Sequence, residues 1–225
     1  MLANPKAVLW DFDGTLVDSE PIWAATEAEM LAEYGVYWSK AEMRAKIGQH
    51  ADVTSRQMAE SIGRPDLQNE LHAELHQRVV DRLIRDGLPF LPGARRLIDE
   101  LTDLGIVCVV VTASSGLIMD AAELLLPDSI RFVITADDVS RTKPDPECYE
   151  LALTRLRLSP SEVIIVEDSV PGTEAGLAAG AFVYAVPGPV QLAAHPMLHA
   201  AAVGLGETTV AELGQLWRDY TKVAA

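Results

Sequence analysis

The sequence predicts an α/β fold: a doubly wound parallel sheet that carries an inserted helical domain. Three observations predict it. Short apolar runs at 7–10, 106–111, 132–135, 163–166 and 182–186 alternate with stretches of helical length, which implies right-handed crossovers between parallel strands. The run at 106–111, IVCVVV, is apolar without alternation, as in strands covered on both faces. Polar residues arrive abruptly where these runs end, and open parallel sheets bind ligands beyond the carboxyl ends of their strands.

The first strand, AVLW at 7–10, is short and wholly apolar, and Asp11, Asp13, Gly14 and Thr15 follow it. Pro21 then opens a helix with Ile22, Ala25, Met30, Leu31 and Tyr34 at helical spacing, closing near Gly35. Ser39 is placed to cap a helix reaching 47, Gly48 interrupts, and 52–62 and 66–85 read as two further helices. Leu67, Leu71, Leu75, Val79 and Leu83 recur every four residues and mark one packed stripe. No strand candidate falls in this block. Residues 19–88 therefore form a helical insertion in a core made of 1–18 and 89–225.

The return segment GLPFLPG at 87–93 holds two prolines and two glycines, which deny it regular structure. From Ala94 the alternation begins: helix 94–104, strand 106–111, helix 116–126, strand 132–135, helix 146–156, strand 163–166, helix 172–179, strand 182–186. An edge strand is expected at 201–205 and a closing helix at 210–220.

Composition bounds the function. The 225 residues are 49% apolar, enough for a substantial core. A formal net charge of -15 argues against nucleic-acid or anionic-membrane partners, because few cations are available to neutralise phosphates. The start MLANPKAVLW has no signal-peptide pattern, and no stretch is long and apolar enough to span a membrane. The expectation is a cytoplasmic monomer. Cys108 and Cys148 make neither a disulfide framework nor a zinc set and read as buried thiols.

Asp11 and Asp13, two apart on an extended chain, would face one pocket, where like charges repel unless a cation or proton relieves them. Oxygen ligands favour a hard ion such as Mg2+. Further polar residues fall at the same sheet edge: Thr112 and Ser114 after the second strand, Glu167 and Asp168 after the fourth, and Lys143 in the loop after the third. Singly, each has an ordinary explanation as a cap, a surface charge or a turn residue. Together they outline a site.

The segments DFDGTLVDS, VVVTASS, RTKPDPECY and IIVEDSVPG, in this order and on these elements, resemble the four motifs of the haloacid dehalogenase-like (HAD) hydrolase superfamily. The resemblance implies a Rossmann-like core with a small α-helical cap domain, the latter matching the insertion. The continuation DSEPIW is similar to the branch holding 2-deoxyglucose-6-phosphate phosphatase, phosphoglycolate phosphatase and β-phosphoglucomutase.

Carried over by residue, the resemblance implies that Asp11 is the nucleophile and becomes an aspartyl phosphate. A carboxylate is ionised at neutral pH and attacks once the anion repulsion is cancelled. Asp13 is then the acid that protonates the leaving oxygen and the base that activates water. Mg2+ is held by the Asp11 carboxylate, the Asp13 backbone carbonyl and Asp168, with Glu167 ordering the metal shell. Thr112, Ala113 and Lys143 bind the phosphate. The implied substrate is a small phosphorylated metabolite of the sugar-phosphate kind.

Asp13 counts against dehalogenase and phosphonate chemistry, since in the resemblance neither reaction carries an aspartate there. A phosphosugar mutase is the alternative, but Trp23 stands where its cap histidine would be, and Ala51 where its cap arginine would be. A Ca2+-binding module without catalysis is a remote alternative, because no glycine occupies the sixth position of an EF-hand loop begun at Asp11. Specificity is expected in the cap from Trp23, Lys46, Gln49 and His50, around Gly48. His72 and His76, four apart on one helix, have no carboxylate partner in the sequence pattern and read as a solvated face.

Overall fold

The computed structural model describes residues 4–46, 51–187 and 192–223. In chain order, β1 (Ala7–Trp10) is followed by α1 (Glu20–Glu33), α2 (Lys40–Arg44), α3 (Ala51–Ser61) and α4 (Gln68–Asp86). Then come α5 (Ala94–Asp103), β2 (Val107–Val111), α6 (Gly116–Glu123), β3 (Ile130–Ile134), α7 (Glu147–Leu156), β4 (Val163–Glu167), α8 (Val170–Ala178), β5 (Phe182–Ala185), β6 (Leu198–Ala200) and α9 (Val210–Val223). The chain divides into two compact units, one of Met1–Asp18, Pro89–Met119 and Leu126–Ala225, the other of Ser19–Leu88 with Asp120–Leu125.

The first unit is built on a parallel sheet in the order β3-β2-β1-β4-β5-β6, the Rossmann order, in which the chain reverses direction across the sheet beside its first strand. That reversal puts β1 between β2 and β4. Trp10 lies level with Val110 on one side and Val166 on the other, so the residues that follow these three strands share one rim. Leu9, Val109, Val111, Ile165 and Val183 pack with Cys148, Tyr149, Ala152 and Leu153 of α7 and Ala175 of α8. The alternate residues Val8, Trp10, Cys108, Val110, Ile164 and Val166 are equally buried. With both faces covered, the sheet reads as continuous apolar runs rather than alternation.

The segment after α4 has no helix or strand; its Phe90 forms only an isolated bridge with Val17. The edge strand differs from expectation: residues 201–205 turn, and Leu198–Ala200 pairs with β5 instead. Three residues suffice to pair there, and only Leu198 is buried, so the strand leaves almost no apolar signature. Both cysteines are free and buried, and burial pushes each thiol up to about 11.

The second unit is helical. Its α1 and α3 pack on α4, whose stripe of Leu71, Leu75, Val79 and Leu83 is buried; Leu67 sits in the 3-10 turn before the helix. Ser39 caps α2 through a reciprocal pair of bonds with Glu42, and α2 stops at Arg44. Histidines 72 and 76 are not a solvated face. His76 is buried, stands edge-on to Trp23 with ring centroids 5.4 Å apart, and bonds the His72 carbonyl through Nδ1. Burial holds its pKa below the ordinary value, so a neutral ring fills a packed position.

Glu27 on α1 is also buried, and burial first, then Glu20, pushes its pKa up to about 7 against the opposing charge of Lys46. The native state therefore holds this proton more tightly than the unfolded chain does. The stability it confers is complete below about pH 4.5 and is lost as pH rises through 7. Unfolding free energy measured at pH 5 and pH 8 should fall by ~2 kcal/mol more in wild type than in Glu27→Gln; equal falls would show that Glu27 titrates normally.

Candidate active site

The site is assembled at the rim shared by β2, β1 and β4. The Lys143 ammonium donates to Asp11 Oδ1 at 2.7 Å, Glu167 Oε1 at 2.7 Å and the Val111 carbonyl at 2.9 Å. One lysine thus ties the ends of three neighbouring strands, with only 5% of its side chain exposed. Glu167, wholly buried, also accepts from Tyr149 Oη at 3.0 Å. Its Oε2 accepts from the Asp168 and Ser169 amides and the Ser169 hydroxyl. Five donors on a group with about four lone-pair directions leave no strong acceptor capacity for an ion.

Asp11, Glu167 and Asp168 each bring a carboxylate oxygen to within 4.8 Å of the others. When all three are ionised, Lys143 answers only one of three negative charges. Burial raises Asp11 well above the usual carboxylate range, reinforced by Glu167 and Asp168 and opposed by Lys143. Asp168 is pushed up to about 6 by burial and then Glu167. Burial also works against the Lys143 charge, but Asp11 and Glu167 outweigh it and hold its pKa above the ordinary value. A cluster short of positive charge, with oxygen donors alone, fits a hard divalent cation. Because the lone pairs of Glu167 are already engaged, the fitting donors are Asp11 and Asp168.

Asp13 does not join this set by its side chain. The strand ends at Trp10, so Asp13 lies in the loop beyond it. Gly14 turns the chain at φ +82°, and Ser114 Oγ donates to Asp13 Oδ2 at 2.5 Å. Thr112 is buried, and its Oγ1 accepts from the Ser114 amide at 3.0 Å, so its hydroxyl hydrogen is left to donate elsewhere. Ala113 is exposed beside it. In the second unit, Lys46 lies over the Trp38 ring at 3.9 Å and bonds Gln57 Oε1, and Trp23 is half-buried. Gln49 and His50, with Gly48, lie outside the described residues.

Tyr149 and Ser169 have no counterpart among the sequence-derived site residues, and the sequence places Ser114 at the sheet edge without a role. Their parts depend on tertiary approach, and only the position of Ser169 beside Glu167 and Asp168 hinted at one. Two glycines are sterically required. A Cβ on Gly14 would lie 2.2 Å from Asp168 Oδ2, and one on Gly172 would lie 1.6 Å from Glu167 Oε1. Gly172→Ala should therefore expel the Glu167 carboxylate from its donors. We expect a loss of ~2–4 kcal/mol in unfolding free energy and a fall of about 100-fold in turnover, read by thermal unfolding and phosphate release; wild-type values of both would contradict this packing.

Two acidic strand ends joined by one buried lysine, at the rim of a parallel α/β sheet, define the class of site. A family model described as haloacid dehalogenase-like hydrolase matches residues 8–186. Hexitol phosphatase A of Escherichia coli (strain K12) is 34% identical over 187 residues, covering 82% of this chain and 84% of that protein. The bifunctional riboflavin kinase/FMN phosphatase of Arabidopsis thaliana is 30% identical over 185 residues, 81% of this chain; the match spans 48% of that protein, about half its length. Among solved structures, CbbY from Rhodobacter sphaeroides in complex with phosphate shares the fold, with a TM-score of 0.71 at 24% identity over 90% of this chain and 96% of that one. The chain belongs to the haloacid dehalogenase-like hydrolase family.

Proposed function

We propose that this hydrolase releases phosphate from a small phosphorylated metabolite of the sugar-phosphate type, with Mg2+ and through an aspartyl phosphate on Asp11. It is a phosphoric monoester hydrolase, as its relative hexitol phosphatase A is by name. The observation that carries the fuller reading is the convergence of Asp11 and Asp168 beside the buried Lys143.

The Asp11 carboxylate attacks phosphorus and the bond to the alcohol oxygen breaks, with Asp13 giving that oxygen its proton. Asp13 then takes a proton from water, whose oxygen attacks the same phosphorus; inorganic phosphate leaves and Asp11 is restored. The Asp11 carboxylate, the Asp13 backbone carbonyl and Asp168 would hold Mg2+, which would supply neutralising charge for the approach of two anions. Glu167 acts behind these ligands, orienting Lys143 and the Asp168 amide. Thr112, Ala113 and Lys143 bind the phosphoryl oxygens, and positioning with charge stabilisation is most of what such a transfer requires. Residues 19–88 act as the cap that selects the alcohol portion, through Trp23 and Lys46 with Gln49 and His50, in a cytoplasmic enzyme.

Initial rates of phosphate release over hexitol phosphates, aldose phosphates and FMN test the reading. Release from at least one sugar or hexitol phosphate, abolished by chelation and restored by Mg2+, is expected. Release indifferent to chelation, or none from any ester, would overturn it.

A further inference from the structure

Ser114 is held at both ends of its backbone. Its amide donates to Thr112 Oγ1 at 3.0 Å, and its carbonyl accepts from the Ala136 amide at 3.0 Å. The next glycine is also anchored, its amide donating to Asp137 Oδ2 at 2.8 Å. With the turn fixed this way, the Ser114 hydroxyl meets Asp13 Oδ2 at 2.5 Å, across 101 residues of sequence. A hydroxyl both donates and accepts, so this contact can persist whether the Asp13 carboxyl holds its proton or has released it. Gly14, immediately after Asp13, adopts a left-handed conformation and lets the chain turn away. The side chain of Asp13 is thereby held by a neighbour on another strand's loop.

We propose that Ser114 is a positioning residue for Asp13, fixing the carboxyl that transfers protons to the leaving alcohol and from the attacking water. The inference rests on the reading of Asp13 as acid and base given above. Misplacing a proton donor by a fraction of its reach slows only steps that need the proton. Formation of the phosphoenzyme from an alkyl phosphate needs it, because an alkoxide is a poor leaving group. Formation from p-nitrophenyl phosphate does not, because p-nitrophenolate leaves as a stable anion.

The experiment compares kcat/KM, which reports steps up to alcohol release, for an alkyl phosphate and p-nitrophenyl phosphate. For Ser114→Ala we expect a fall of about tenfold on the alkyl ester and a clearly smaller one on the aryl ester. Ser114→Thr, which keeps the hydroxyl, should recover most of the loss. On an Asp13→Asn background Ser114→Ala should add nothing further, since two residues acting as one unit are not additive. Equal losses on the two esters, no loss on either, or a full additional loss in the double variant would overturn the proposal. Should Ser114→Ala fail to fold, Ser114→Cys, with a weak donor of similar size, gives the same comparison. Asp13→Asn alone serves as the separate control: equal losses on the two esters in that variant would sink the reading of Asp13 as acid and base, whereas a loss confined to the alkyl ester there, with unselective Ser114 variants, would sink the positioning role alone.

Discussion

Asp11→Asn should lose about 10³-fold or more of its phosphate release while unfolding at or above the wild-type temperature. The two halves of this expectation have one cause. Asp11 is 7% exposed, and burial, Glu167 and Asp168 all disfavour its charge. A group whose native pKa is raised confers stability that is complete below its unfolded pKa and lost as pH rises through the native one. Ionised Asp11 is therefore a strain on the fold, and the isosteric amide relieves it. Loss of activity with gain of stability is the trade expected at a site built for charge. Thermal unfolding and phosphate release on the same preparations check it. A variant that keeps its turnover would remove Asp11 from the chemistry, and one that melts well below wild type would show that its charge supports the fold.

Lys143→Met should have the largest structural effect of any single change at the site. The lysine is the partner of both Asp11 Oδ1 and Glu167 Oε1, and replacing it with an apolar chain of similar volume leaves two buried carboxylates without their counter-charge. Breaking one side of a buried ion pair costs about 3–5 kcal/mol, and turnover should fall by about 10³-fold as the phosphoryl oxygens lose a cation. The pairing with Asp11 can be isolated. Lys143→Met combined with Asp11→Asn removes both a cation and one of the carboxylates it answered, so the double variant should unfold with a smaller loss than Lys143→Met alone. Denaturant unfolding of the four proteins reads this directly; strict additivity would mean that the two side chains do not interact.

The arrangement of the first unit was largely legible in the residues themselves, because strands covered on both faces are apolar along their length, as AVLW is and as VIIVE is up to its terminal Glu167. The ends of those runs also mark the rim where Asp11, Thr112 and Glu167 lie, since polarity changes where burial stops. What was not legible depends on distance in sequence or on weak signatures. The Leu198–Ala200 strand is too short, with one buried side chain, to stand out from its loop. His76 carries a polar symbol but fills a buried place against Trp23. The partner of Asp13 was not legible either, because Ser114 reaches it from another strand's loop, 101 residues away in sequence. The saturation of Glu167 required Tyr149, Ser169 and Lys143 to arrive from three separate segments, which local pattern does not encode.

The most direct measurement is acid quench of the enzyme during turnover of a phosphate-labelled sugar or hexitol phosphate, followed by peptide mapping of the label. Label on the peptide that contains Asp11, formed only with Mg2+ and absent from Asp11→Asn, is the predicted result. Turnover with no label on that peptide under any quench time, or label on a different residue, would contradict a reaction carried by the Asp11 carboxylate.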